Sequence, residues 1–86
     1  MIASHPVEYA IVPVGTLVVK SIRGEFYGFH VNSGAGTITV TDNGVTVYAG
    51  NLAADQNVNF GGCGILCKSN ISVTVTGTAS VAVLYV

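Results

Sequence analysis

Thr37-Ile-Thr-Val-Thr-Asp-Asn-Gly-Val-Thr-Val-Tyr-Ala49 is the stretch that decides the fold class. Two alternating runs flank Asn43-Gly44, the dipeptide best suited to a two-residue hairpin turn. With that turn Thr41 faces Thr46, Val40 faces Val47 and Ile38 faces Ala49. One face is then Ile38, Val40, Val47 and Ala49. The other carries Thr37, Thr39, Thr41, Thr46 and Tyr48. A three-residue loop would set Val40 opposite Thr46 and mix the faces, so the alternation selects the register. The chain therefore reads as all-β, with one apolar and one threonine-rich face.

Working outward, each neighbouring turn extends the same pattern. Residues 17–23 and 26–32 read as strands joined at Gly24-Glu25, which sets Val18 opposite Val31 and Ile22 opposite Tyr27. Ser33-Gly-Ala-Gly36 reads as a turn that sets Val31 opposite Ile38 and Phe29 opposite Val40. An apolar face then runs unbroken over four successive strands. Upstream, residues 7–14 form a strand weakened by Pro13, which suits a sheet edge. Residues 1–6 read as an extended arm, because Pro6 holds His5 out of helical geometry.

Downstream, residues 51–56 are a polar connection with room for one helical turn. Residues 57–60, 65–68, 71–76 and 80–86 complete the strands. A loop of Gly77, Thr78 and Ala79 pairs Val75 with Val81 and Val73 with Val83. Residues 80–86 are apolar on both faces, as in a strand central in a sheet or covered by another subunit. Short strands at roughly 8–12-residue spacing give a single antiparallel β-sandwich of about eight strands, jelly-roll-like or meander. The domain is residues 7–86, preceded by the arm.

Composition narrows the function classes. Eighty-six residues make one domain, and a domain this small buries too little surface to be more than marginally stable alone. Only 8% of the residues are charged, against roughly 25% in ordinary soluble domains. A free monomer with so few charges is poorly protected against association, so the surface is expected to be covered by neighbours. Three scattered basic residues and a net charge of −1 do not neutralise a phosphate backbone, so no nucleic-acid partner is expected. No apolar run approaches ~18 residues, so no membrane partner is expected either. The first six residues lack the charged and apolar regions of a signal peptide, which points to synthesis in the cytosol.

Motifs for chemistry are missing. Cys63 and Cys67 are four apart, ~13 Å on a regular strand, whereas a disulfide needs Cα atoms within about 7 Å. They read as buried thiols. Cys-x3-Cys without a downstream His pair also lacks the usual zinc spacing. His30 lies in an apolar strand with no nucleophile and carboxylate converging on it. Glu8, Glu25, Asp42 and Asp55 fall in separate segments, so no acid–base pair forms. Gly34-Ala-Gly36 leads into a strand and offers no helix N-terminus to an anion. Catalytic, cofactor and metal residues are therefore expected to be none. Lys20, Arg23 and Glu25 cluster near one turn, either as a solvated hairpin end or as a polar contact that orients a partner.

The C-terminal run Gly77-Thr-Ala-Ser-Val-Ala-Val-Leu-Tyr85, the arm, and the central Thr37-Ile-Thr-Val-Thr-Asp-Asn43 together resemble small structural proteins of tailed bacteriophages. The pieces cover about half of the chain. The resemblance implies a non-enzymatic virion component assembled in the host cytoplasm. The best fit within that group is a capsid decoration (cement) protein that binds the major capsid protein or other virion subunits, often as a trimer. A tail or fibre component is the alternative, and a carbohydrate- or receptor-binding module with Tyr27, Tyr48, Asp42 and Asn43 at one tip is another. The expected partner contacts are Met1, Ile2, His5 and Pro6 of the arm, Thr39, Thr41 and Tyr48 of the threonine side, and Leu84 and Val86 of the last strand.

Overall fold

The structure, a computed structural model, describes residues 7–60 and 64–86. Nine strands follow in order: β1 (Glu8–Val12), β2 (Gly15–Lys20), β3 (Gly24–Ser33), β4 (Gly36–Asp42), β5 (Val45–Leu52), β6 (Asn57–Asn59), β7 (Ile65–Cys67), β8 (Ile71–Val75) and β9 (Ser80–Tyr85). The pairings are nested. β4 pairs with β5, β3 with β6 and β7, β2 with β8, and β1 with β9, all antiparallel. The chain is thus one long ribbon with the β4–β5 hairpin at its tip. The ribbon is rolled, so that alternate pairs fall in opposite sheets.

One sheet runs β1-β9-β3-β6, with β7 following β6 along the same edge of β3, and the other runs β2-β8-β4-β5. This is the two-sheet sandwich expected from the sequence, and its strand order is that of a jelly roll, not a meander. Fourteen apolar residues are buried between the sheets, with Phe26, Phe29, Val31, Ile38, Val40, Val73 and Val83 fully enclosed. Among the described residues no polar side chain is buried, so apolar burial holds the interior without side-chain desolvation costs to offset.

Three expected registers are corrected. Residues 17–23 do not turn back onto residues 26–32, because β2 pairs with β8 and β3 with β9. β3 and β4 lie in different sheets, as do β8 and β9. The apolar faces of these strands do meet, but across the sandwich. A strand's alternation says which face is buried; it does not say whether the neighbour is hydrogen-bonded beside it or stacked opposite. Residues 53–56 form a turn and no helical turn. Gln56 donates its N–H to the Ala53 carbonyl, and the Val31 N–H donates to the Gln56 carbonyl. The loop therefore extends the β3 edge.

The Asn43-Gly44 turn is as expected: both residues have positive φ, 50° and 85°, the requirement of a type I′ turn. Thr41 faces Thr46. Beyond that pair the register slips by one, so Val40 faces Tyr48 and Ile38 faces Gly50. Val47 is the extra residue of a β-bulge, where two residues oppose one. The slip turns Tyr48 inward. Its ring sits among Phe26, Phe29 and Phe60 at centroid distances of 6.0, 5.8 and 5.6 Å. Half-buried Tyr48 packs against the core and ties β5 to the opposite sheet, and its placement on the threonine face is corrected.

At one end of the sandwich the β3–β4 and β8–β9 crossings run against each other. Thr78 donates its N–H to the Ala35 carbonyl at 2.8 Å and Thr76 to Thr37 at 3.0 Å. The crossings approach so closely that a Cβ on Gly36 would overlap the Thr76 carbonyl, and one on Gly77 the Ala35 carbonyl. Glycine is what lets both ribbons change sheet at the same place.

Candidate functional site

Three surfaces follow from this roll. The first is the flank where β1, the edge of one sheet, lies beside β2, the edge of the other. Among the described residues nine large apolar side chains are exposed, and six of them lie along these two edge strands and their link: Val7, Tyr9, Ile11, Val14, Leu17 and Val18, with Tyr9 and Ile11 on the outside of the first sheet and Val18, beside Ser72, on the outside of the second. Tyr9 is the most exposed, at 67%. Its strand partner is Leu84, and that of Ile11 is Ala82, so this apolar surface continues onto the outside of β9. Natural edge strands carry charges or bulges that block pairing; β2 has such a bulge between Val18 and Lys20, but β1 shows none, and within residues 7–19 the only charge is Glu8.

The second surface is the outside of the other sheet. Thr37, Thr39 and Thr41 of β4 alternate with the buried Ile38 and Val40, and Ser72 and Thr74 of β8 lie beside them. The Thr37 and Thr76 hydroxyls are 2.6 Å apart, and those of Thr16 and Thr74 2.9 Å apart. The face carries hydroxyls and no charge over these positions.

The third surface is a cleft of about 410 Å³ at the end opposite the crossings, lined by Lys20, Arg23, Gly24, Glu25, Tyr27, Leu66 and Val86. Here the fold gathers the Lys20, Arg23 and Glu25 cluster seen in the sequence. The Tyr27 hydroxyl donates to Glu25 Oε1 at 2.7 Å. Glu25 and Val86 exchange backbone hydrogen bonds of 2.9 Å, which fixes the cleft wall.

The expected contact residues separate accordingly. Leu84 joins the apolar flank, Thr39 and Thr41 lie on the hydroxyl face, Val86 lines the cleft, and Tyr48 packs against the core. Met1, Ile2, His5 and Pro6 lie outside the described residues, as does Cys63. Tyr9, Ile11, Leu17 and Val18 were missed. The sequence does carry apolar side chains on both faces of residues 7–12 and 15–19, as it does in residues 80–86, but that these strands are edges, and so exposed, is set only by the roll.

Asp42 is not a free turn residue. Its carboxylate accepts the N–H groups of Lys68, Ser69 and Asn70 at 2.8, 2.9 and 3.2 Å. Asn70 Oδ1 in turn accepts the Asn43 N–H at 3.0 Å. The hairpin tip is thereby tied to the β7–β8 crossing. These N–H donors, Lys68 first and Ser69 next, hold the Asp42 carboxyl below its ordinary range. A carboxyl with a lowered folded pKa contributes stability above its unfolded pKa and loses it as pH falls through the folded value. We expect the thermal midpoint to fall as the pH is lowered from about 5 toward 2, and D42A to start lower and show a flatter acid limb. Melting curves across that range check it.

Cys67 is buried and free, and burial, with the Asp42 charge second, pushes its thiol up. It is a core filler, not a nucleophile. His30 is half-buried on the outside of its sheet, between Ala82 and Asn57. Among the described residues no three of His, Cys, Asp and Glu are grouped as metal ligands would be. Comparison with known protein families, with curated proteins and with solved structures returned no match.

Proposed function

We propose that the chain is a non-enzymatic assembly subunit of a virion, a decoration protein that sits on a phage head as a homo-oligomer and clamps major capsid subunits. The observation that carries this reading is the run of six large apolar side chains exposed along β1, β2 and the link between them, the open edges of the two sheets. Apolar side chains exposed along open sheet edges mark surfaces that take a partner. With 8% charged residues, the remaining surface supplies little to keep such a patch solvated. The jelly roll is compatible with this role, since it recurs in viral capsid domains, but it also recurs in lectins and cupins and so does not choose among them.

Self-association is favoured over a contact with an oppositely charged partner. Copies of one chain carry the same nearly uncharged edges, so whichever faces meet in a ring, the one charge within residues 7–19, Glu8, gives little repulsion between them. The resemblance to phage decoration proteins favours a trimer. In particles purified from a host carrying the gene, we expect peptide mass spectrometry to find this chain in the head fraction after heads and tails are separated. Its presence only in tails would shift the reading to a tail component; its absence from particles would overturn it.

A further inference from the structure

We infer that the cleft at the β2–β3 end binds a carboxylate carried by an acidic peptide segment of a partner, with Lys20 and Arg23 as the groups that hold it. The inference does not rest on the virion reading.

The chain has seven charged residues, and three of them line this one cleft. Lys20 and Arg23 are two of its three basic residues. The third, Lys68, lies beside Asp42 at the crossing. Neither Lys20 nor Arg23 has a hydrogen-bond or ion-pair partner among the described residues. The acid closest to hand is otherwise engaged, since Glu25 accepts the Tyr27 hydroxyl. Two cations left unpaired on the walls of a concave, partly apolar site focus positive potential into it.

Lys20 is also placed. Its stem crosses Gly24, where a Cβ would come within 2.8 Å of Lys20 Cδ and 2.5 Å of the Val86 carbonyl. The bare glycine lets the lysine lie down on the cleft floor, so its ammonium is set with less freedom than a surface lysine has.

Lys20 and Arg23 each offer charge-assisted donors, while the Glu25 carboxylate beside them adds negative charge, so a single carboxylate fits better than a phosphate dianion. Glu25 would repel a polyanion such as a nucleic acid. Leu66, 42% exposed, forms an apolar wall, so a carboxylate flanked by an aliphatic side chain fits better than a free one. An Asp or Glu next to Leu, Val or Ile in a partner's loop is the class of segment expected.

The test uses the full chain, labelled with ¹⁵N, titrated with the blocked peptide acetyl-Leu-Asp-Leu-amide, with its Asn analogue, and with inorganic phosphate. The expected result is saturable shifts of the Lys20, Gly24 and Leu66 amides with the Asp peptide. Binding of the Asn analogue should be weaker by about tenfold, as should Asp-peptide binding to the K20Q/R23Q double variant, because charge-assisted hydrogen bonds are lost. No shifts at the cleft, equal binding of the Asp and Asn peptides, or tighter binding of phosphate than of the Asp peptide would overturn the proposal. The peptide comparison is made on the unaltered protein, so it decides even if the double variant does not fold.

Discussion

Replacing Tyr48 with alanine is expected to lower the unfolding free energy by about 3 kcal/mol, while Tyr48→Phe stays within about 1 kcal/mol of the native protein. The ring stands between Phe26 and Phe29 of one sheet and Phe60 beyond β6, with centroid distances of 5.6 to 6.0 Å. Removing it takes away apolar burial and three ring contacts at once, two tilted and one edge-on. The hydroxyl has no hydrogen-bond partner among the described residues, so its loss costs little. Urea unfolding of the three proteins separates the two cases. If Tyr48 instead belonged to an outward threonine face, its removal would cost no more than an ordinary surface substitution.

Gly36→Ala should cost at least about 3 kcal/mol, because the new Cβ would overlap the Thr76 backbone and cannot be accommodated by turning a side chain. Gly44→Ala is the control. Its φ of 85° is also positive, but nothing lies within 4 Å of the added Cβ, so only left-handed backbone strain of about 1 kcal/mol remains. A comparison of the two midpoints distinguishes steric closure of the crossings from conformational preference. Equal effects would mean that the two crossings do not touch as described.

The sequence shows which elements exist better than it shows their neighbours. The runs 37–42 and 71–76 alternate clearly, and each is a strand with the expected face buried, Ile38 and Val40 in one and Ile71, Val73 and Val75 in the other. Local turn chemistry fixed one register, Thr41 opposite Thr46, because both turn residues are consecutive in the chain. It could not fix Ile11 opposite Ala82 or Leu17 opposite Val73, which are brought together only when the ribbon folds back on itself. The bulge at Val47 was hidden for a related reason. Val47 and Tyr48 are both good core residues, so alternation alone cannot tell which of them faces Val40. At the surface, the charge cluster at Lys20, Arg23 and Glu25 was legible from spacing. The apolar flank was not, because its exposure depends on β1 and β2 being edges, which is a property of the roll.

That flank also bears the central claim. Sedimentation equilibrium of the full chain at micromolar concentration measures it directly. The expected result is a closed oligomer, a trimer by the resemblance to decoration proteins, that I11K or Y9K converts to monomer while the β-sheet circular dichroism spectrum is retained. A monodisperse, stable monomer of the unaltered chain would contradict it.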